Sequence, residues 1–259
     1  MKYNFEIKEV NKEIALNMVK KYHYSNTLPK INKVYLGFYL GDEIVGLLTL
    51  GYGTRPLHTI KNIFPTLDVK NYLEIGRMCM TEEMPKNSES QMISQTVTWL
   101  KNNMKDVKVL FTWADGFRGK VGYVYQACSF RYIGFITTDA YMMNGTMIHP
   151  RKIKKLLVDD YKKETRITVR PTLSQMKQFG IEHYKGKQFK YIKMLCSKVE
   201  QKKLISEGNI KFLDYPKEKD LTWSVKNENG KWVKSEKPNY ITDDIKLEEK
   251  QTSIFDFMY

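Results

Sequence analysis

The chain has 259 residues, of which 42% are apolar and 13% aromatic, so it can bury a core and is not a disordered protein. Lys and Arg number 43 against 29 Asp and Glu, and the formal net charge of +14 favours a polyanionic partner. No apolar run approaches the roughly 20 residues of a membrane helix, and the N-terminal stretch is too charged for a secretory signal. Three widely spaced cysteines fit a reducing compartment, so we expect a cytoplasmic protein without a membrane partner.

The excess positive charge is concentrated in one stretch. Residues 1–150 hold 18 basic and 13 acidic side chains, residues 151–200 hold 14 and 5, and residues 201–259 hold 11 of each. Lysines alternate with aromatics over residues 183–191 (HYKGKQFKY), a mixture that suits phosphate contacts combined with stacking on bases. The sequence therefore favours nucleic acid over a plain solvated basic face, and the candidate DNA contacts here are Lys185, Lys187 and Lys190.

The predicted elements alternate between strands and helices. In chain order they are a strand (3–10), a helix capped by Asn11 (to 21), a hairpin (34–40 and 44–50), a strand (72–80), a helix capped by Ser88 (to 104), a strand (107–113), a short helix (123–128) and two strands (130–137 and 140–147). This order predicts an α/β domain over residues 1–150, with one mixed sheet and helices on both faces. It is similar to the element order of the GNAT acyltransferases.

The remainder of the chain divides by composition. Residues 151–214 form a basic C-terminal extension suited to DNA, with a helix near 153–157 and a strand near 189–195. Residues 215–259 read as a loosely ordered polar linker that ends in an apolar peptide. In that peptide Gln251, Ile254 and Phe255 resemble the motif that docks in the groove of bacterial sliding clamps, although the same apolar side chains could instead fold back onto the domain.

A cluster of aromatic residues follows the first predicted helix. Tyr22-His23-Tyr24-Ser25 combines three rings with a hydroxyl, which could stack on a base, relay a proton or bind a metal. A histidine at the end of a helix is as readily a surface or capping residue, so this cluster alone leaves its role open.

A second candidate site lies where the strand ending in Glu74-Ile75-Gly76-Arg77 meets the helix that starts at Asn87-Ser88-Glu89-Ser90. Free amides and the dipole at a helix start favour an anion, and serine hydroxyls add donors. Arg77, Ser88 and Ser90 are therefore candidates to bind a cofactor phosphate. Glu89 would oppose a phosphate and no Gly-rich loop is present, so a plain helix cap is the alternative.

The third candidate site is the run from Trp113 to Ala127. Asp115 ends a buried strand, where ligands bind in open α/β sheets, although it could also simply cap a turn. Arg118 and Lys120 flank Phe117, which again combines phosphate contacts with stacking. Tyr125 lies on the short helix that follows.

Taken together in this order and spacing, these motifs resemble the Mom family of phage DNA-modification proteins, which are distant relatives of GNAT enzymes. The resemblance extends from about residue 23 to 151, and it includes the strand containing Cys79 and the Tyr132-Ile133-Gly134 run. It implies a transferase that converts adenine in DNA to N6-carbamoylmethyladenine and so protects phage DNA from restriction.

The resemblance also implies roles for individual residues. The functional set would be His23, Tyr24, Arg77, Ser90, Asp115 and Tyr125. Asp115 would interact with the adenine amine and Tyr125 would protonate the leaving group, while Arg77 and Ser90 would orient an acetyl-CoA or related donor. Because the product joins nitrogen to a CH₂ group, simple acyl transfer is insufficient, and His23 and Tyr24 are candidate iron ligands. The alternatives are a GNAT N-acyltransferase acting on protein or small amines, and a non-catalytic protein that binds DNA or the clamp.

Overall fold

A computed structural model describes residues 3–148, Ile153 and residues 170–240. Its residues form two compact units. Unit 1 comprises Met1–Ala114, Gly122–Gly134 and Phe189–Tyr215, and unit 2 comprises Asp115–Val121, Phe135–Gln188 and Pro216–Tyr259. The helix expected near 153–157 lies outside the described residues apart from Ile153, and so does the terminal peptide with Gln251, Ile254 and Phe255. No helix of the described part is long and apolar enough to cross a membrane.

The secondary structure follows the predicted alternation. In chain order the described elements are β1 (Glu6–Glu9), α1 (Lys12–Tyr22), β2 (Asn32–Leu40), β3 (Glu43–Gly51), α2 (Pro56–Ile63), β4 (Tyr72–Met80), α3 (Ser88–Asn103), β5 (Val109–Asp115), α4 (Tyr123–Ala127), β6 (Arg131–Met143), β7 (Thr146–Ile148), α5 (Leu173–Gln178), β8 (Ile181–Met194), α6 (Lys198–Glu207), β9 (Trp223–Lys226) and β10 (Trp232–Ser235).

Unit 1 contains a mixed sheet, as the sequence predicts. Strands β1 to β4 are antiparallel neighbours in chain order, and β5 runs parallel to β4. Helix α1 packs on Leu47 and Cys79, whereas the neighbouring residue Gly46 faces Met92 of α3. Because adjacent strand residues point to opposite faces, α1 and α3 cover opposite faces of the sheet. The predicted α/β class with a mixed sheet is therefore confirmed.

Helix α2 was not predicted. Pro56 at its first position is pre-set for helical φ, and Ile60 and Ile63 are spaced to face one side. They pack with Tyr72 and Phe111 of the sheet in the largest described cluster of unit 1. The helix therefore forms because its apolar side covers the sheet.

Two details of the predicted elements are wrong. Helix α3 is preceded by Asn87 at the N-cap, with a φ of 75°, and Ser88 is a buried residue of the first turn whose hydroxyl donates to the Pro85 carbonyl. The two final strands predicted over 130–147 are instead the long strand β6 followed by β7. The Thr-Thr-Asp stretch at 137–139 contains neither Gly nor Pro to break a strand, and Asp139 contacts His183 of β8 at 2.9 Å.

Unit 2 contains antiparallel strands. Strand β8 neighbours β6 on one side and β9 on the other, β7 pairs with β6, and β10 pairs with β9. The β9–β10 hairpin lies within residues predicted to be a loose linker, so that prediction is wrong for this segment. Asn227 closes the turn by accepting from the amides of Asn229 and Lys231, and Gly230 adopts a φ of 76°. The Asn-Gly pair at 229–230 was the overlooked sequence signal.

Candidate active site

An irregularity in β4 brings two charged side chains together. Thr49 pairs with Arg77 and Leu50 pairs with Ile75, which leaves Gly76 as an extra residue in β4. In a regular strand residues 74 and 77 would point to opposite faces, but one extra residue reverses the alternation. Glu74 and Arg77 therefore share a face of the sheet, and each affects the ionisation of the other.

Glu74 is the carboxylate of this site. It is largely buried, and Trp113 Nε1 donates to its Oε2 at 3.4 Å. Burial raises the pKa of Glu74 to about 7, although the Trp113 hydrogen bond and the Arg77 charge act in the opposite direction. A carboxylate with this pKa can accept a proton near neutral pH.

Arg77 connects the strand to the loop after α1. Its Nη2 donates to Ser25 Oγ at 3.1 Å, its Nε to the Thr27 carbonyl at 2.9 Å and its Nη1 to the Gly76 carbonyl at 2.8 Å. Burial lowers the pKa of Arg77, while Tyr24 and Glu74 raise it. Arg77 thus holds the loop that carries the aromatic residues against the sheet.

Tyr125 supplies a hydroxyl group to the same neighbourhood. Its ring contacts those of Phe130 and Tyr191, each with a centroid separation of 5.7 Å. Burial raises the pKa of Tyr125 to about 12, the Thr112 side chain opposes this shift, and the charges of Tyr24 and Glu74 reinforce it. The phenol therefore stays protonated at neutral pH and can act as a proton donor.

His23 and Tyr24 lie in the loop that Arg77 holds. Their rings are 4.2 Å apart, and His23 Nδ1 accepts a hydrogen bond from the Ser25 amide at 2.9 Å. Tyr24 is 49% exposed and is an electrostatic neighbour of both Arg77 and Tyr125, so its ring is available at the edge of the site. Within the described ranges no three His, Cys, Asp or Glu side chains form a metal-binding group, so the expectation of iron at His23 and Tyr24 has no support there.

The start of α3 does not fit the predicted phosphate site. The hydroxyl of Ser88 donates to the Pro85 carbonyl and that of Ser90 to the Asn87 carbonyl, each at 2.7 Å. The amides of both serines donate to the same two carbonyls at 3.2 Å, and Glu89 adds a negative charge to the first turn. These donors are used within the turn, so a cofactor phosphate would find few of them.

Asp115 belongs to unit 2, where it caps a turn. Its Oδ1 accepts from the Arg118 amide and its Oδ2 pairs with Arg118 Nε, both at 3.4 Å. Burial raises the pKa of Asp115, while the Arg118 charge and the turn amides lower it. The capping alternative raised from the sequence is thus realised, and a catalytic role for Asp115 stays a prediction.

The predicted DNA contacts differ in exposure. Phe117 is only 3% exposed, and its ring stacks on Tyr240 with a centroid separation of 5.9 Å, which argues against the expected stacking on a base. Lys120 is exposed. In unit 2, Lys185 lies over the Trp232 ring and Lys187 donates to the Asp220 carbonyl, while in unit 1 partial burial lowers the pKa of Lys190.

Sequence reasoning did not assign a role to Glu74, although it noted the segment that contains it. The available signal was Gly76, because glycine inside a strand often marks a bulge that redirects its neighbours. The structure brings Tyr24, Glu74, Arg77 and Tyr125 together as electrostatic neighbours within unit 1.

Comparisons with known proteins agree with the resemblance seen in the sequence. The model of the Mom protein family matches residues 4–217. Methylcarbamoylase mom of Escherichia phage Mu is 28% identical over 204 residues, which cover 79% of this chain and 80% of that protein. Similar solved structures include an acetyltransferase from Bacillus subtilis in complex with CoA (TM-score 0.41, 14% identity, 74% of this chain and 100% of that one). Another is an N-acetyltransferase from Staphylococcus aureus Mu50 (TM-score 0.43, 13% identity, 75% of this chain and 100% of that one).

Proposed function

Because this chain belongs to the Mom protein family, we propose that it is a transferase that converts adenine in DNA to N6-carbamoylmethyladenine and so protects phage DNA from restriction. The name of the phage Mu relative, methylcarbamoylase, supports this choice of reaction. The observation that carries the proposal is that Glu74, whose pKa is about 7, and Tyr125, whose pKa is about 12, are electrostatic neighbours within unit 1. One group can accept a proton and the other can donate one at neutral pH.

The adenine amine is a poor nucleophile because its lone pair is delocalised into the ring. In this proposal Glu74 accepts a proton from N6 as the new bond forms, which keeps electron density on the nitrogen. Trp113 orients the carboxylate through its indole N–H, and Arg77 stabilises the ionised form. Glu74 therefore takes the role at the adenine amine that the resemblance implied for Asp115.

Inside a duplex N6 is paired, so the adenine has to be extruded at a cost of a few kcal/mol. The half-exposed ring of Tyr24 would stack on the extruded base and replace part of the lost stacking energy. The double-stranded DNA itself would be held through phosphate contacts by the basic residues of the chain.

Tyr125 would supply a proton to the group that departs with negative charge as the N6–CH₂ bond forms. Its buried phenol keeps that proton until negative charge develops beside it. Acetyl-CoA or a related thioester is the cofactor class we propose, but loss of its thiolate would leave an acyl group on N6 rather than the N–CH₂ bond of the product, and the serines at the start of α3 do not fit its phosphates. The proposed steps therefore involve neither that cofactor nor iron.

The proposal is tested by nucleoside mass spectrometry. DNA from cells that express the protein is digested and compared with DNA from cells that express Glu74→Gln at the same soluble level. We expect a modified deoxyadenosine that carries the carbamoylmethyl group only with the wild-type protein. Unmodified deoxyadenosine despite abundant soluble protein would contradict the proposal, and acetylated protein or small amines in its place would favour the N-acyltransferase alternative.

The terminal peptide with Gln251, Ile254 and Phe255 is a proposed docking segment for the sliding clamp. Ala substitution of Ile254 and Phe255 should abolish binding of the full chain to purified clamp, because such aliphatic and aromatic anchors supply most of the energy of peptide docking. Unchanged binding of the variant would contradict this partner.

A further inference from the structure

One face of the unit 2 strands is rich in lysine. Lys185 pairs with Ser224 of β9, and Ser224 pairs with Lys234 of β10, so these three side chains point to the same side. Side chains alternate along a strand, so residues two positions away lie on the same side. This side therefore also carries His183 and Lys187 of β8, Lys226 of β9 and Trp232 of β10. We call this surface, together with Phe135 of β6, the lysine face.

The opposite side of these strands is the apolar one. Phe117, Ala140 and Met142 form its buried cluster, and Tyr184 and Trp223 pack against it. Among the described residues, α5 and Ile153 cover the end of the lysine face near Tyr141 and Ile181. The rings of Phe135 and Trp232 on this face reach solvent.

Two exposed rings lie among these lysines. Trp232 is 36% exposed, Lys185 Nζ lies 4.1 Å from its centroid, and the ring of His183 packs against it at 4.8 Å. Phe135 is 47% exposed, with Lys187 Nζ at 4.7 Å from its centroid. Each ring is therefore paired with a cation, and the contacts of Trp232 hold its indole in one orientation.

The charge of the face is almost entirely positive. Among the described residues of these strands the carboxylate on this side is Asp139, which His183 contacts at 2.9 Å and Arg170 at 3.3 Å. Lys185 and Lys226 lie over the Trp232 ring, and Lys187 lies over Phe135 while it donates to the Asp220 carbonyl at 2.7 Å. Lys234 is exposed, and none of these contacts neutralises a positive charge. A polyanion is the partner that matches such a surface.

We propose that the lysine face binds a single strand of DNA, with bases stacked on Trp232 and Phe135 and phosphates contacted by the four lysines. Rings that lie on an open sheet can stack only on unpaired bases, because the bases of an intact duplex cover one another. The choice of DNA as the polyanion rests on the proposed function, in which DNA is the substrate, whereas the choice of a single strand rests on the two exposed rings. Strands β9 and β10 lie beyond residue 217, where the family match ends, so Lys226, Trp232 and Lys234 are outside the matched region.

The test measures binding of the full chain to a fluorescein-labelled thymidine oligonucleotide of about 15 nucleotides, by fluorescence anisotropy at several salt concentrations. Trp232→Ala should weaken binding about tenfold, and Trp232→Phe should recover most of it, since alanine removes the ring and phenylalanine keeps one. The double variant Lys226→Gln and Lys234→Gln should lower the slope of log affinity against log salt by about 1.4, because each phosphate contact on a single strand contributes about 0.7.

The control is the double variant Lys202→Gln and Lys203→Gln on the exposed side of α6, which should leave the slope unchanged. The lysine variants leave the Trp232 ring in place, so they keep the test decisive even if Trp232→Ala lowers stability. Affinity within twofold of wild type for Trp232→Ala, or an unchanged slope for Lys226→Gln with Lys234→Gln, would overturn the proposal. Thymidine contains no adenine, so this experiment can succeed where the modification of adenine fails, and the two failures remain distinguishable.

Discussion

The carboxylate of Glu74 lies directly against the backbone of Gly53. A Cβ placed on Gly53 would collide with the Glu74 carboxylate, and Gly53 has a φ of 71° that favours glycine. Gly53 is thus one of the residues that pack against the carboxylate, whose burial raises the pKa on which its role as a base depends.

Gly53→Ala should therefore lower both stability and activity. Gly41→Ala is the matched control, because Gly41 has a φ of 60° with no atom near the site of its Cβ. We expect Gly41→Ala to cost about 1 kcal/mol of backbone strain and to leave activity intact. In urea unfolding Gly53→Ala should cost clearly more, because it adds the collision, and equal losses for the two variants would contradict the contact.

Glu74→Gln should lower the rate of adenine modification about 100-fold, since the amide keeps the shape of the side chain but cannot accept a proton. Glu43→Gln, on the exposed end of the first hairpin, is the control for removing a carboxylate. The measurement is the yield of modified nucleoside per unit time at pH 8. A Glu74→Gln protein with wild-type yield would remove Glu74 from the mechanism.

Glu74 should also make stability depend on pH. Its pKa rises from 4.5 to about 7 on folding, so between these values the folded protein binds more protons than the unfolded chain. The free energy of unfolding should consequently fall by about 3 kcal/mol as the pH rises from 4.5 to 7. Above pH 7 the contribution of Glu74 to this free energy should no longer change. Urea unfolding at pH 5 and pH 8 should show a smaller decrease for Glu74→Gln than for wild type, and parallel decreases would argue against a buried carboxylate.

Tyr125→Phe removes the proposed proton donor while keeping the ring. Tyr191→Phe is its control, because Tyr191 is also buried and its hydroxyl accepts a hydrogen bond from Gln126 Nε2 at 3.0 Å. Both variants should lose about 1 kcal/mol of stability. Only Tyr125→Phe should lower the rate, by about 100-fold, and a comparable loss in both would point to packing rather than proton transfer.

Asp115→Asn separates the capping role of Asp115 from the predicted catalytic one. The Asn side-chain oxygen can still accept from the Arg118 amide, so the turn should persist and stability should fall by about 1 kcal/mol or less from the lost ion pair. If Glu74 is the base, Asp115→Asn should retain most of the modification activity. A loss as large as that of Glu74→Gln in a stably folded Asp115→Asn protein would restore Asp115 to the catalytic set.

Sequence patterns predicted the helices and strands well where capping residues or apolar periodicity lie within the element itself. Asn11 caps α1 as expected, since its side chain accepts from the Ile14 amide, and β4 spans the predicted residues 72–80. The cap of α3 was placed one residue late, because serine and asparagine are about equally good caps and the left-handed φ of Asn87 is not visible in the sequence. Helix α2 and the β9–β10 hairpin were missed although Pro56 and the Asn229-Gly230 pair are local signals for them. Both elements also depend on contacts with distant segments, since α2 packs with Phe111 and β9 pairs with β8.

The order of patterns along the chain was enough to determine the mixed α/β class and the resemblance to the Mom family, since alternating periodicity and motif spacing are properties of neighbouring residues. The sequence also singled out Tyr24, Arg77 and Tyr125. Only the tertiary structure decided that Glu74 joins them and that Ser88 and Phe117 are buried. The physical reason is that a bulge in β4, and the depth at which a side chain is desolvated, arise from pairing and packing between segments far apart in the chain.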